Sequence, residues 1–465
     1  MAVRCITHPS RLRQVSARIE LTEELEFSLS NLLRVLDLRA GVPSSTQVNQ
    51  LVPRASLSIE SAIAEILPLI DEIRVKGESA LIAATKKFDG FDPSPIPVPQ
   101  SELDAALANI SPALKSSLTE AIARVRKVSE ANLPKPVTTT LSPGGKVHQR
   151  WQPVDSVGLY VPGGKAVYPS SVVMNVVPAQ VAGVPRMVIA TPGQKAFQGR
   201  PHPTVLAAAA MLGITEVYNV GGPAAIAALA HGVPELELSP VSLITGPGNI
   251  YVTAAKRALR GIVGIDSEAG TTEILIIADS GANPEFVAAD LLSQAEHDES
   301  AASVLVTDSE ELANQVQIAL LKRLDKTSHA QRAKTALTAQ QSAIVLVANI
   351  HEAVKFANFY ATEHLELQTE NAQEVLSLVS NAGAIFIGAY SPVSLGDYMA
   401  GSNHVLPVNQ QSKFGAGLSV HTFLRAQQII DYNKEGLAET VSLIDSLANE
   451  EGLPAHFEAI QARFE

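Results

Sequence analysis

The chain has 465 residues, enough at roughly 100 to 200 residues per domain for two to four domains, each able to bury a core of its own. Apolar residues make up 46% and charged residues 18%, ordinary globular usage that excludes bulk disorder and fibrous classes. Lys plus Arg number 35 against 47 Asp plus Glu, a net charge of −12, so nucleic acid and acidic membrane surfaces would meet net repulsion and are not expected partners.

The opening MAVRCITHPSRLRQVSARIE carries four arginines and one acid but no apolar h-region. That excludes a secretory signal; an ordinary N-terminal extension is expected over residues 1–30, with a short organellar presequence as the alternative. It contains Cys5, the one cysteine, so no internal disulfide can form. Any metal must then take His, carboxylate or amide ligands, and a reducing, cytoplasmic setting fits. Up to residue 140 the pattern is largely helical, with SIESAIAEILPLIDEIRVKGESALIAATKKF reading as two amphipathic stretches broken near Gly77 and placed to cover a sheet.

From Ser156 short β-branched runs alternate with Ala-rich helical stretches: SVGLYV, SSVVMNVVPAQVAG, RMVIAT, HPTVLAAAAML, EVYNV, PAAIAALAHG, VSLIT and NIYVTAAKRAL. This rhythm predicts βα units and a parallel sheet. The longest apolar run, Val205 to Ile214, has the length of a core helix rather than a membrane span. The rhythm then repeats through EILIIAD, PEFVAADLLSQAEHD, ASVLVT, SEELANQVQIALLKRL, AIVLV, HEAVKFANFY and AIFIG, predicting a second α/β sheet. After Pro407 a Gln/Gly/Ser-containing loop leads to one helical stretch from Leu418 and another from Leu437. Such a tail is too thin for a core of its own and must bury its apolar face against these sheets or another subunit.

Several motifs have chemical potential. VSLIT runs into GPGN and a helix, so Gly246 and Gly248 would let a phosphate approach the backbone, with Asn249 as a side-chain donor. A tight strand-to-helix turn explains the same glycines without a ligand, and Tyr251 stands where a dinucleotide fingerprint has its third glycine. Glycine turns at residues 162–164 and 220–222 also follow predicted strands, and three such turns outline a ligand crevice. Gln294 and His297 are three apart and able to converge on one ion, although a His at a helix C-terminus also simply complements the dipole. Glu363 and His364 adjoin in ATEHLEL, expected as irregular backbone after a helix ending near Tyr360; the pair is either an acid/base couple or a solvated charge beside a packed imidazole. In SPVSLGDYMAGSNHVLP, expected as a long polar loop, Asp397 is a candidate oxygen ligand or an Asx-type turn, and His404 a ligand or a loop anchor. Glu451 and His456 flank an LPA turn and, read alone, are surface polarity.

The strings GLYVPGG, GPGNIYVTAAKR, AEHDE, ATEHLEL, SLGDYMAGSNHVLP and EGLPAH, in this order and spacing, resemble the histidinol dehydrogenase family from about Asp37 to the C-terminus. The resemblance implies two Rossmann-like parallel-sheet domains plus a small helical C-terminal tail that swaps in a dimer. It divides the chain into residues 31–150 with 271–410 as a first α/β domain, a nested NAD-binding domain at 151–270, and a tail at 411–465 completing the partner's site. It further implies a two-step, NAD-dependent oxidation of L-histidinol to L-histidine through a bound aldehyde, with one zinc per active site, in a homodimer. The metal ligands it assigns are Gln294, His297, Asp397 and, from the partner chain, His456, an N/O set suited to zinc. Substrate contacts fall on Thr272 and Glu451 besides those ligands and His364. His364 is assigned the base for alcohol oxidation and Glu363 the carboxylate that activates water for the second step. Cofactor positions fall on Tyr160, Ala224 and Asn249. Ala224 departs from the family, whose GGAQA has a Gln contacting NAD where this chain reads GGPAA, so that side-chain hydrogen bond is absent; Thr271 stands where the family usually has Pro, a change that deletes no reactive group.

The nearest rival is a paralogous zinc and NAD dehydrogenase acting on another small polar alcohol, such as a sulfonated diol. Glu451, suited to an ammonium, favours histidinol. A zinc hydrolase using Glu363 without nicotinamide, and an inactive binding module, are the readings from other classes.

Overall fold

The computed structural model describes residues 32–54, 59–163 and 167–465; the N-terminal extension with Cys5, and Gly164 of the first glycine turn, lie outside them. Both α/β sheets expected from the sequence are present. One is five-stranded and parallel, in the order Glu216–Asn219, Arg186–Thr191, Ser156–Tyr160, Leu243–Thr245, Gly264–Ile265. The other is six-stranded and parallel, in the order Arg34–Asp37, Ala343–Leu346, Ala302–Thr307, Glu273–Ala278, His364–Gln368, Ala384–Ile387.

Alternate residues of each strand enter different cores, as the period of two in an extended chain requires. In the first sheet Val157, Leu159 and Ile189 join one apolar cluster while Tyr160, Val188 and Ala190 join another. In the second, Ile274, Ile276 and Leu305 face one cluster, and Leu275, Ile277 and Leu365 the opposite one. Both sheets are therefore covered on both faces, which explains why their strands read as continuous apolar runs.

The N-terminal helices break where expected, at Gly77, whose φ of 54° costs a residue without Cβ little. Ile66, Ile70 and Ile73 of the helix Ile59–Lys76 pack with Tyr160 and Val188, and Leu118 and Val125 of Pro112–Ala131 pack with Val172 and Val176. Residues 59–131, expected to group with the second sheet, thus cover the first. Apolar spacing fixes which helix face is buried but carries no information about which of two equally apolar sheets receives it.

Three further expectations are corrected. Residues 424–432, read as helical from Leu418, form a strand pairing antiparallel with Gly145–Pro153 at all nine positions, extended on its far side by Val137–Ser142. The backbone ladder, a tertiary interaction, overrides the helix-compatible AQQII spacing. ATEHLEL is not irregular: His364–Gln368 is a fully buried central strand. Its polar Glu366 disguised the pattern, and that carboxylate is paid for inside by the Val393 N–H at 3.0 Å. Finally, Asp397 lies on a short helix, Val393–Tyr398, rather than in a loop.

The tail contributes the helices Lys434–Ala438, Val441–Glu450 and Pro454–Gln461. Within this chain they bury only Gly436 and Ala448, and Leu443 and Leu447 are each 64% exposed. No described helix is long and apolar enough to cross a membrane.

Candidate active site

The two sheets present opposite strand ends to their functional residues. In the five-stranded sheet, Tyr160 closes the strand Ser156–Tyr160, and the GPGN turn follows Leu243–Thr245, beside it at the point where strand order reverses. That is the usual binding position in an open α/β sheet. In the six-stranded sheet the candidate residues lie where strands begin: Thr272 and Glu273 at the start of Glu273–Ala278, Glu363 and His364 at the start of the adjacent His364–Gln368.

The backbone of Glu273 organises this pair. Its N–H donates to Glu363 Oε2 at 3.0 Å, and its carbonyl accepts from His364 Nδ1 at 3.1 Å. A carbonyl can only accept, so Nδ1 carries the proton and Nε2 is the basic nitrogen. Thr272 Oγ1 donates to Glu363 Oε2 at 2.6 Å and accepts from Gln294 Nε2 at 2.5 Å. The amide nitrogen of Gln294 being used there, its oxygen is the atom left to bind a cation.

Burial pushes the Glu363 carboxyl up to about 8, against the hydrogen bonds from Thr272 and Glu273, with the Glu273 and Asp397 carboxylates adding to the rise. Burial lowers His364, and the Asp397 carboxylate partly offsets it. Desolvation also lowers His297, which Asp397 pulls upward, and raises Asp397, which His364 and His297 pull downward. These reciprocal effects place His297, His364 and Asp397 in one electrostatic neighbourhood. His404 proves a loop anchor: its Nδ1 donates to the Asp397 carbonyl at 3.1 Å, its Nε2 pairs with Ser171 Oγ at 3.2 Å, and burial lowers its pKa to about 4.

Beside this neighbourhood a cavity of about 490 Å³ opens between the two α/β units, with His297, Tyr398 and Met399 on one side and Tyr168, Ser170 and Met174 on the other. Among the described residues no three His, Cys, Asp or Glu groups of one chain gather as a metal site. His297 and Asp397 with the Gln294 amide make three donors, chemically suited to zinc but one short of a closed tetrahedron. His456 and Glu451 are exposed on the tail, and nothing in this chain brings them to the other three.

Of the cofactor candidates, Tyr160 is buried, and its hydroxyl accepts from the Gly222 N–H at 3.0 Å. Ala224 is buried in the apolar cluster behind it. Asn249 Oδ1 caps the helix Ile250–Leu259, accepting from the N–H groups of Tyr251 at 3.0 Å and Val252 at 3.2 Å, which leaves the amide Nδ2 as its donor. Gly246 is required sterically, because at its φ of 115° a Cβ would sit 2.1 Å from the Tyr160 carbonyl oxygen.

Sequence reasoning missed the supports of this site. Lys256 and Asp266 form a buried ion pair that grips Gly246 at both ends: Asp266 Oδ2 accepts its N–H at 2.8 Å, and Lys256 Nζ donates to its carbonyl at 3.0 Å. Arg54 pairs with the side chain of Glu273, Nε to Oε2 at 2.6 Å. The AAKR and TTE strings contain Lys256 and Glu273, but nothing local distinguishes a buried charge from a solvated one.

A family model described as histidinol dehydrogenase matches residues 52–464. Histidinol dehydrogenase of Leifsonia xyli is 52% identical over 433 residues, covering 93% of this chain and 99% of that protein. The Nocardia farcinica enzyme of the same name is 51% identical, covering 92% and 97%. The crystal structure of histidinol dehydrogenase from Elizabethkingia anophelis superposes with a TM-score of 0.88 at 32% identity, over 93% of this chain and 98% of that one. Near-complete coverage in both directions, together with a fold shared across both sheets, makes this chain a member of the histidinol dehydrogenase family.

Proposed function

We infer that the chain oxidises L-histidinol to L-histidine through the aldehyde, with NAD and zinc, as the last steps of histidine biosynthesis, in the cytoplasm. One observation carries the reading: a neutral imidazole and an adjoining buried carboxyl hang from the backbone of a single residue, Glu273, in the neighbourhood of Asp397 and His297. When bound, zinc supplies an electrophilic anchor for the substrate's nitrogens and NAD the acceptor for hydride.

Gln294, His297 and Asp397 would hold the metal, and His456 of a second copy would complete the set; the tail's exposed leucines support that exchange. Thr272 would lie beside the substrate, and Glu451, arriving with the same tail, would meet its ammonium. Tyr160, Ala224 and Asn249 mark the nicotinamide side. His364 Nε2 takes the hydroxyl proton as the alcohol becomes aldehyde, and its lowered pKa keeps it neutral and basic at physiological pH. The second oxidation needs the aldehyde hydrated. Glu363, raised to about 8, is mostly protonated at neutral pH; its ionised fraction, which grows as pH rises towards 8, is the form that takes a proton from the attacking water. By packing, residues 32–54 group with 271–410 about the six-stranded sheet, residues 59–131 join the nested unit at 151–270, and residues 411–465 are the tail.

The test is direct. Zinc-loaded protein with NAD and L-histidinol should form two NADH and one histidine per substrate. A protein that reduced no NAD with histidinol yet oxidised a sulfonated diol would transfer the reading to the paralogous dehydrogenase.

A further inference from the structure

Arg54 lies outside every motif that pointed to the site, yet it touches the first residue of one strand that forms it and the helix end that leads into the other. Its Nε donates to Glu273 Oε2 at 2.6 Å, on the strand whose backbone holds the catalytic pair. Its Nη2 donates to the Tyr360 carbonyl at 2.6 Å, on the segment that leads directly into Glu363 and His364. Its Nη1 is used by Asn49 Oδ1 at 2.9 Å, and the guanidinium carbon stacks 3.9 Å from the centroid of the Tyr360 ring. The pair is desolvated, with side chains 10% and 1% exposed. The remaining Glu273 oxygen, Oε1, accepts the Asn409 N–H at 3.0 Å. Between Tyr360 and Glu363 the chain turns through Ala361 at a φ of 54°, a conformation an alanine adopts only when its surroundings hold it there. Ser412 Oγ, donating to the Ala361 carbonyl at 3.1 Å, helps to do so.

We propose that Arg54 is a positioning residue for both oxidation steps, clasping Glu273 to the Tyr360–Ala361 turn so that Glu363 and His364 are hung from one peptide in fixed register. A lone buried ion pair is weak evidence of stability, since desolvation offsets much of the attraction. A planar fork joining one strand start to the helix end that leads into the next strand is a device for geometry instead. The Glu273 N–H and carbonyl flank a single Cα, so a shift of that residue misplaces acid and base together. A displacement on the order of 1 Å costs about a hundredfold in rate when groups must meet in line.

The inference rests on the assignment of Glu363 and His364 as the proton-handling pair. The test therefore includes His364→Asn and Glu363→Gln beside Arg54→Met, Arg54→Lys and Arg54→Met/Glu273→Gln, all as zinc-loaded full chains. With histidinol and with histidinal as substrates, Arg54→Met should lower kcat about 10- to 100-fold in both steps while zinc content and the KM for histidinol stay within about twofold. Arg54→Lys, which keeps the charge but not the fork, should fall between wild type and Arg54→Met. A crystal structure of Arg54→Lys should show the 3.0 Å and 3.1 Å bonds from the Glu273 backbone lengthened. If Arg54→Met fails to fold, the double variant, which leaves no unpaired buried charge, and Arg54→Lys carry the measurement. Unchanged kcat per zinc-loaded site, or lost activity with both backbone bonds intact, would overturn the proposal. Full activity in His364→Asn and Glu363→Gln would instead overturn the assignment on which it rests.

Discussion

Glu363→Gln separates the chemistry of the buried carboxyl from its cost to the fold. The side chain is 8% exposed, and its pKa moves from 4.5 to about 8 on folding. A carboxyl raised in the folded state binds its proton more tightly there than in the unfolded chain. Its contribution to stability is therefore complete below about pH 4.5 and is lost as pH climbs through 8. At about 1.4 kcal/mol per pH unit the loss approaches about 5 kcal/mol. Gln keeps an oxygen to accept from Thr272 and from the Glu273 N–H, but it cannot ionise. The variant should therefore gain on wild type by several kcal/mol between pH 5 and pH 9, most of it above pH 6. Urea midpoints of the metal-free proteins across that range give the difference, and every other titrating group cancels because both chains share it. The same variant should oxidise histidinol to the aldehyde at near wild-type rate and stall there, losing about 10²- to 10⁴-fold in the second step. A stability gap identical at pH 5 and pH 9 would refute the claim that this carboxyl is held protonated. An equal loss in both oxidation steps would refute its separate role.

His364→Asn should impair the first oxidation, with histidinal added directly still converted; NADH formation from each substrate distinguishes the steps. Mixing inactive His456→Asn subunits with inactive His297→Asn subunits should restore about a quarter to half of the sites if the tails are exchanged, and no recovery after proven subunit exchange would place the tail on its own chain. Gly246→Ala forces a Cβ against the Tyr160 carbonyl at 2.1 Å and should cost a few kcal/mol of stability and raise the KM for NAD more than that for histidinol, as thermal denaturation and steady-state kinetics would show.

The strand and helix rhythm from Ser156 onward was legible because each sheet is buried on both faces, which writes Val157–Tyr160 or Ile274–Ile277 as nearly unbroken apolar runs. The break at Gly77 was legible for the same local reason, a backbone angle suited to glycine. The chemical candidates Gln294, His297, Glu363, His364 and Asp397 were named from residue type, position and family likeness. Their gathering was not in the sequence, since it depends on where strands of the same sheet begin and on a carbonyl that selects the His364 tautomer. Nor were the strand at residues 424–432, whose pairing partner, Gly145–Pro153, is remote in sequence, or the choice of the first sheet by residues 59–131. Short-range periodicity records whether a side chain is buried. Which distant surface buries it, and which lone carboxylate finds an Arg54, is settled only when the whole chain closes on itself.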